Sequence, residues 1–236
     1  MPLKVVSAKS LTQRILESSS SKYWLEQIID TALTKSHQKA LIRDKFHASW
    51  AGMCPRLIQL TMNGIIQERI EPRIQRIFDV GWDVHIRYGR YFEAADIFIN
   101  REIPIEIKID DMIIIGKADF CIKDRNGKPR LIELKSINSR GFEQLFVSRA
   151  CKEDHFLQWN IYSKGLCIPE GDILYENKDD QRIKIFPVNY DDSKFQQIAN
   201  KFMNIHNCNK ENKLISKPLV CPDQKYCIAK SICSKE

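Results

Sequence analysis

The chain has 236 residues, 43% of them hydrophobic, and its 37 Lys and Arg against 30 Asp and Glu leave a net charge of +7. That length suits one large domain with a real core, and no apolar run approaches the ~18 residues of a membrane span. The first sixteen residues, MPLKVVSAKSLTQRIL, lack the apolar core and cleavage site of a secretory signal, so a cytoplasmic protein is expected and the eight cysteines point away from a disulfide framework.

Taken in chain order, residues 22–46 read as a long amphipathic helix after the serine run 18–21. HASWAGM, 47–53, reads as a loop. Pro55 then opens a short helix with Cys54 at its cap and Gly64 at its end. Residues 71–95 carry apolar or aromatic side chains at 74, 77, 78, 84, 88 and 92, a helical spacing. Strands are expected over 103–109, 112–122 and 130–137, a helix over 140–166, a hairpin over 173–188 and a helix over 191–207. This order predicts an α/β (α+β) core. A P-loop signature is absent, so no NTPase motor is expected. The positive charge is clustered at Arg69, Arg73, Arg76, Arg87 and Arg90, and again at Arg140, Arg149 and Lys152. Such clusters fit a polyanion partner, although solvated helix faces carry similar runs.

The segment GKADFCIKDRNGKPRLIELK, 116–135, carries the chemistry. A two-residue Asn126-Gly127 loop would pair 119 with 134 and put Asp119 on the face of an apolar residue. A three-residue loop, 125–127 with Gly127 left-handed, sets Asp119 opposite Glu133 instead. Directly opposed side chains have Cβ atoms about 5 Å apart. Two carboxylates that close need a cation between them, and Mg²⁺ or Mn²⁺ suits the donors. Lys135, two residues on, shares that face and could serve a water or a phosphate. A surface Glu–Lys strand pair would read the same way.

Asp119, thirteen residues, then Glu133-Leu134-Lys135 resembles the PD-(D/E)XK nuclease superfamily, whose first acid ends a strand and whose Glu-x-Lys lies on the next. Gly81-x-x-x-His85 upstream and Gln158-x-x-x-Tyr162 downstream resemble its RecB-like branch. On the residues alone His85, in the stripe of Ile74, Phe78, Tyr88 and Phe92, reads as a core histidine. The resemblance makes it a metal ligand beside Asp119, Glu133 and the Leu134 carbonyl. It also implies that Lys135 serves the attacking water and that Gln158 and Tyr162 steady the site or touch the nucleic-acid backbone. The implied fold is a restriction-endonuclease-like core, about 65–207, with a central mixed sheet flanked by helices. The implied activity is a metal-dependent DNA exonuclease. A catalytically silent DNA-binding or adaptor module and an RNA-processing nuclease are the alternatives.

Cys221, Cys227 and Cys233 follow one another with five residues in each gap, and Cys54 stands far upstream at a helix start. Four thiolates can hold a [4Fe–4S] cluster or zinc. This layout resembles the iron–sulfur nucleases of CRISPR adaptation and the AddB type. It implies a cluster-binding region, Cys54 plus 208–236, closing a single domain of residues 1–236, and partner proteins of a CRISPR-adaptation, recombination or phage replication system. The first gap departs from that pattern, which leaves Cys208 as a substitute for Cys221. Cys121, Cys151 and Cys167 read as packing residues.

Overall fold

A computed structural model of the chain describes residues 24–35, 43–66, 71–218 and 227–233. The described residues divide into a small unit, 24–35 with 71–80, and a large one holding the rest. The small unit contains helix α1, Trp24–Lys35, where Asp30 accepts from Arg76 at 2.5 Å. The expected helix over 22–46 is thus seen from Trp24 to Lys35, while residues 36–42 lie outside the described residues and Phe46 is already strand. Phe46 is fully buried and pairs with Ile114, so core burial there outweighs the helical periodicity.

The large unit is built on one mixed sheet of six strands. Its elements are β1 (Phe46–His47), a 3₁₀ turn (Ala48–Trp50), α2 (Pro55–Met62), the later part of α3 (Pro72–Ala94), β2 (Phe98–Ile109), β3 (Met112–Lys123) and β4 (Pro129–Ile137). There follow α4 (Ser139–Ser148), α5 (Glu153–Leu166), β5 (Glu170–Asn177), β6 (Ile183–Asn189), α6 (Asp192–Lys210) and α7 (Lys230–Cys233). β3 is antiparallel to β2 and β4, β4 is parallel to β5, and β5 is antiparallel to β6. The β4–β5 pair is parallel because α4 and α5 form the crossover between them.

Both faces of the sheet are covered, which is why β3 and β4 carry near-continuous apolar runs rather than a clean alternation. On one face Ile114, Leu131 and Ile173 meet Trp159 and Tyr162 of α5 and Phe202 of α6. On the other, Phe120, Ile132, Leu134 and Leu174 meet Val84 and Tyr88 of α3, with Phe92 alongside. Phe78, placed by its spacing in the same stripe, is exposed. This mixed, helix-flanked sheet fits the restriction-endonuclease-like core expected. Among the described residues, no helix is long and apolar enough to cross a membrane.

Two element boundaries differ from the sequence reading. Residues 140–166 form two helices, because Arg149 adopts a left-handed conformation (φ 53°) and ends α4. Glycine usually takes that position, so no Gly or Pro announces the break. β2 begins at Phe98, earlier than expected, and runs the full length of β3.

One edge of β3 is shared. β1 pairs with residues 114–115 and β4 with residues 120–123. Residues 116–119 between them have no ladder partner on that edge, and the candidate site lies at this gap.

Candidate active site

The β3–β4 turn is the three-residue form. Gly127 has φ 77°, Asp124 N donates to Lys128 O at 2.8 Å, and Asp124 Oδ1 accepts from Asn126 N and Lys128 N. The ladder runs from Lys123–Pro129 to Phe120–Ile132, so one step further Asp119 and Glu133 fall opposite each other. There the ladder stops, and Asp119 Oδ2 accepts instead from Leu134 N at 2.8 Å.

Glu133 does not lie on a solvated face. Its side chain is 0% exposed, neither carboxylate oxygen finds a hydrogen bond of acceptable geometry, and its ion-pair partner is Lys135 Nζ at 2.6 Å. Burial raises the Glu133 pKa to about 7, the Asp119 charge adds to the rise, and Lys135 opposes it. Burial likewise raises Asp119 to about 6 against the pull of Lys135 and the Leu134 amide. Burial opposes the Lys135 charge, but Glu133 and Asp119 outweigh it and hold the ammonium charged. Lys135 therefore carries its charge beside the two acids.

His85 comes from α3 on the opposite side of the gap. Its Nδ1 is buried without a hydrogen bond and lies 3.7 Å from Asp119 Oδ1. Burial, then Lys135, lowers its pKa, while the Glu133 and Glu102 charges oppose that. The imidazole is thus held neutral, as a metal ligand must be.

A further acid was not anticipated. One donor atom each of His85, Glu102 and Asp119 lie within 4.8 Å of one another. Glu102 sits in β2 between the pairs Arg101–Phe120 and Ile103–Ala118, hence opposite Asp119, with φ 50°. A left-handed glutamate inside a strand costs about 1–3 kcal/mol and clusters at functional sites. Starting the strand at residue 103 left Glu102 just outside it, and no motif marks the kink.

These donors fit a hard divalent ion. Ligands about 2.0–2.6 Å from one cation lie within ~5 Å of each other, and His85 Nδ1 is buried without a hydrogen bond. His85, Glu102 and Asp119 are the grouped side chains that could hold it, and Glu133, the other expected ligand, is not part of that group.

α5 supports Lys135 from the other face. Lys135 Nζ reaches Gln158 Oε1 at 3.5 Å, and Gln158 Nε2 donates to Tyr162 Oη at 2.9 Å. Tyr162 can lie there because Gly116 has no side chain: a Cβ would stand 2.7 Å from Tyr162 Cε1 and 2.9 Å from Ala48 Cβ. His155 Nδ1 meets Tyr175 Oη at 2.8 Å, and burial, then Lys135, lowers its pKa to about 4.

The cysteines fall elsewhere. Cys227 and Cys233 join Leu57, Leu60 and Ala229 in a small satellite core, and Cys54 is the N-cap of α2, which carries Leu57 and Leu60. Among the described residues, their sulfurs do not form a ready metal-binding group. Cys221 lies outside the described residues. Cys208 is half-buried, Cys121 is buried, Cys151 is half-buried and Cys167 is exposed, so Cys167 is not the packing residue expected.

Compared with known proteins, the chain matches no protein-family model and no curated protein. It is similar to solved structures. One is SSO0001, with a TM-score of 0.57 at 19% identity, covering 89% of this chain and 96% of that one. Another is LHK-Exo, an alkaline exonuclease from Laribacter hongkongensis, with a TM-score of 0.55 at 16% identity over 72% of this chain and 90% of that one. LHK-Exo in complex with dAMP gives 0.55 at 17% identity, over 73% and 93%. What is shared at these identities is the fold.

Proposed function

We propose that the chain is a divalent-metal-dependent nuclease that hydrolyses phosphodiester bonds in DNA from free ends. The observation that carries the reading is Glu133, a fully buried acid opposite Asp119 and ion-paired with a charged Lys135 at 2.6 Å. A buried ion pair adds little stability, since desolvation offsets much of the attraction, so a functional use accounts for this acid better than a structural one. His85, Asp119, Glu133 and the Leu134 carbonyl would hold the ion, and Glu102 joins them. Once bound, the ion supplies charge neutralisation at the phosphate and a more acidic water. Lys135 offers a fixed cation to the charge that grows on phosphorus-bound oxygen as water attacks and the ester oxygen leaves. Gln158, anchored by Tyr162, holds that ammonium in place. The similarity in fold to an exonuclease solved with dAMP supports release of mononucleotides. End-labelled DNA and RNA, each incubated with and without Mg²⁺ or Mn²⁺, tests the reading. DNA should shorten only with the ion present, and Glu133→Gln should stop it. Cleavage that persists in chelator, or that survives in Glu133→Gln, overturns the assignment.

We propose in addition that Cys54, Cys221, Cys227 and Cys233 hold a [4Fe–4S] cluster, with zinc as the alternative occupant. The support is the spacing in the sequence and the shared satellite core that brings α7 against α2. None of these four cysteines lies between Asp119 and Lys135, so the proposed role of the cluster is structural.

A further inference from the structure

Trp82 stands one turn before His85 on α3, and its side chain is 53% exposed. A lone exposed aromatic is ordinary on a protein surface. Two observations set this one apart. Its indole lies 6.4 Å from the His85 imidazole, with the ring planes only 15° apart. Its neighbour Gly81 sits inside the helix, where glycine costs about 1 kcal/mol relative to alanine, and a Cβ there would meet nothing within 4 Å. The backbone beside the indole is bare and open, and no packing contact explains the glycine.

We propose that Trp82 is a stacking platform for a nucleobase of a single-stranded end, next to the phosphate that His85 and Asp119 face. The substrate class rests on the nuclease reading above; the stacking itself rests on the ring geometry. The ring planes are nearly parallel, so a base laid on the indole also lies nearly parallel to the imidazole, one helical turn from His85. Aromatic stacking accepts every base, because each has a π-face, so the contact fixes position along the strand without reading sequence. A base must leave the duplex to use it, so the platform selects frayed or single-stranded ends. Arg90, exposed further along the same helix, adds positive charge for the backbone.

Fluorescence anisotropy of a labelled ~12-nucleotide oligothymidylate, within the usual span of single-strand sites, tests this in EDTA so that no strand is cut. Full-length wild type, Trp82→Ala and Trp82→Phe are each titrated with the intact strand and with one whose terminal nucleotides are abasic. Trp82→Ala should weaken the intact strand about 5- to 100-fold, the worth of one base–aromatic stack, and Trp82→Phe should keep most of the affinity. Wild type and Trp82→Ala should bind the abasic strand alike. An unchanged Kd for the intact strand, an equal loss on both strands, or no binding by the wild type overturns the proposal. Wild type that binds through Trp82 yet degrades no DNA with Mg²⁺ or Mn²⁺ removes the nuclease reading and keeps the stack. Full nuclease activity with Trp82→Ala binding as wild type removes the stack alone.

Discussion

Asp119 turns one oxygen to the Leu134 amide and the other toward His85 Nδ1 at 3.7 Å, so the residue proposed to hold the ion is also tied to the next strand. Glu133 has no such second duty, and Glu133→Ala should abolish cleavage, by about 10²–10⁴-fold or more, while the far-ultraviolet circular dichroism stays as in wild type. Near-normal turnover in Mn²⁺ would refute its role. The raised carboxyls also make the fold pH-sensitive. Their ordinary values are 3.8 and 4.5, and in the folded chain they sit at about 6 for Asp119 and about 7 for Glu133. Stability from such groups is complete below the unfolded pKa and is lost as pH rises through the folded one. In chelator, the melting temperature should therefore fall between about pH 4 and pH 7, and Glu133→Gln should flatten the fall. A flat wild-type profile would show that the buried pair ionises without cost. Asp119, Glu133 and Lys135 were legible in the sequence because strand alternation and a turn type fix their mutual position by arithmetic. Glu102 was not, since its place depends on one left-handed residue that an alternating pattern does not encode.

At the scale of elements, α5 reaches Lys135 through Gln158, which Tyr162 anchors, and Gly116 of β3 is what lets Tyr162 close in. Gly116→Ala puts a methyl 2.7 Å from the ring and 2.9 Å from Ala48, so the tyrosine must withdraw and Lys135 loses its support. The expected result is a kcat at least tenfold lower with DNA affinity little changed, on the scale of a misplaced catalytic group; an unaltered kcat would free Lys135 from that dependence. The strands and the turn were readable because β-branched runs and Asn-Gly act locally. The break between α4 and α5 was hidden because Arg149 does, with an ordinary side chain, what glycine usually does.

For the whole molecule, the net charge is +7, but the arginine clusters are only partly open to a polyanion. Arg76 is paired with Asp30, and Arg87 with Glu176 at 2.5 Å. Binding to DNA should still weaken with salt, by roughly tenfold or more between ~50 and ~200 mM. A flat response would assign the remaining basic residues to ordinary solvated faces. The cysteine layout was legible only as a sequence pattern, since Cys221 lies outside the described residues and the other three sulfurs are not grouped. Protein purified without oxygen should be brown, with about four irons per chain, and Cys227→Ala should bleach it and lower its melting temperature. Stoichiometric zinc without iron would make it a zinc site; neither metal would dismiss both.

The gap in the β3 edge has a spectroscopic consequence. Where a neighbouring strand would normally supply a main-chain oxygen to Leu134 N, Asp119 supplies a titratable one at 2.8 Å. The strength of that bond changes with the proton and the ion on the same carboxylate. A single backbone proton, in a protein labelled with ¹⁵N, therefore carries a readout of the centre: its chemical shift and its exchange with deuterated water will follow ionisation and metal loading in solution, with no substrate present and no turnover required.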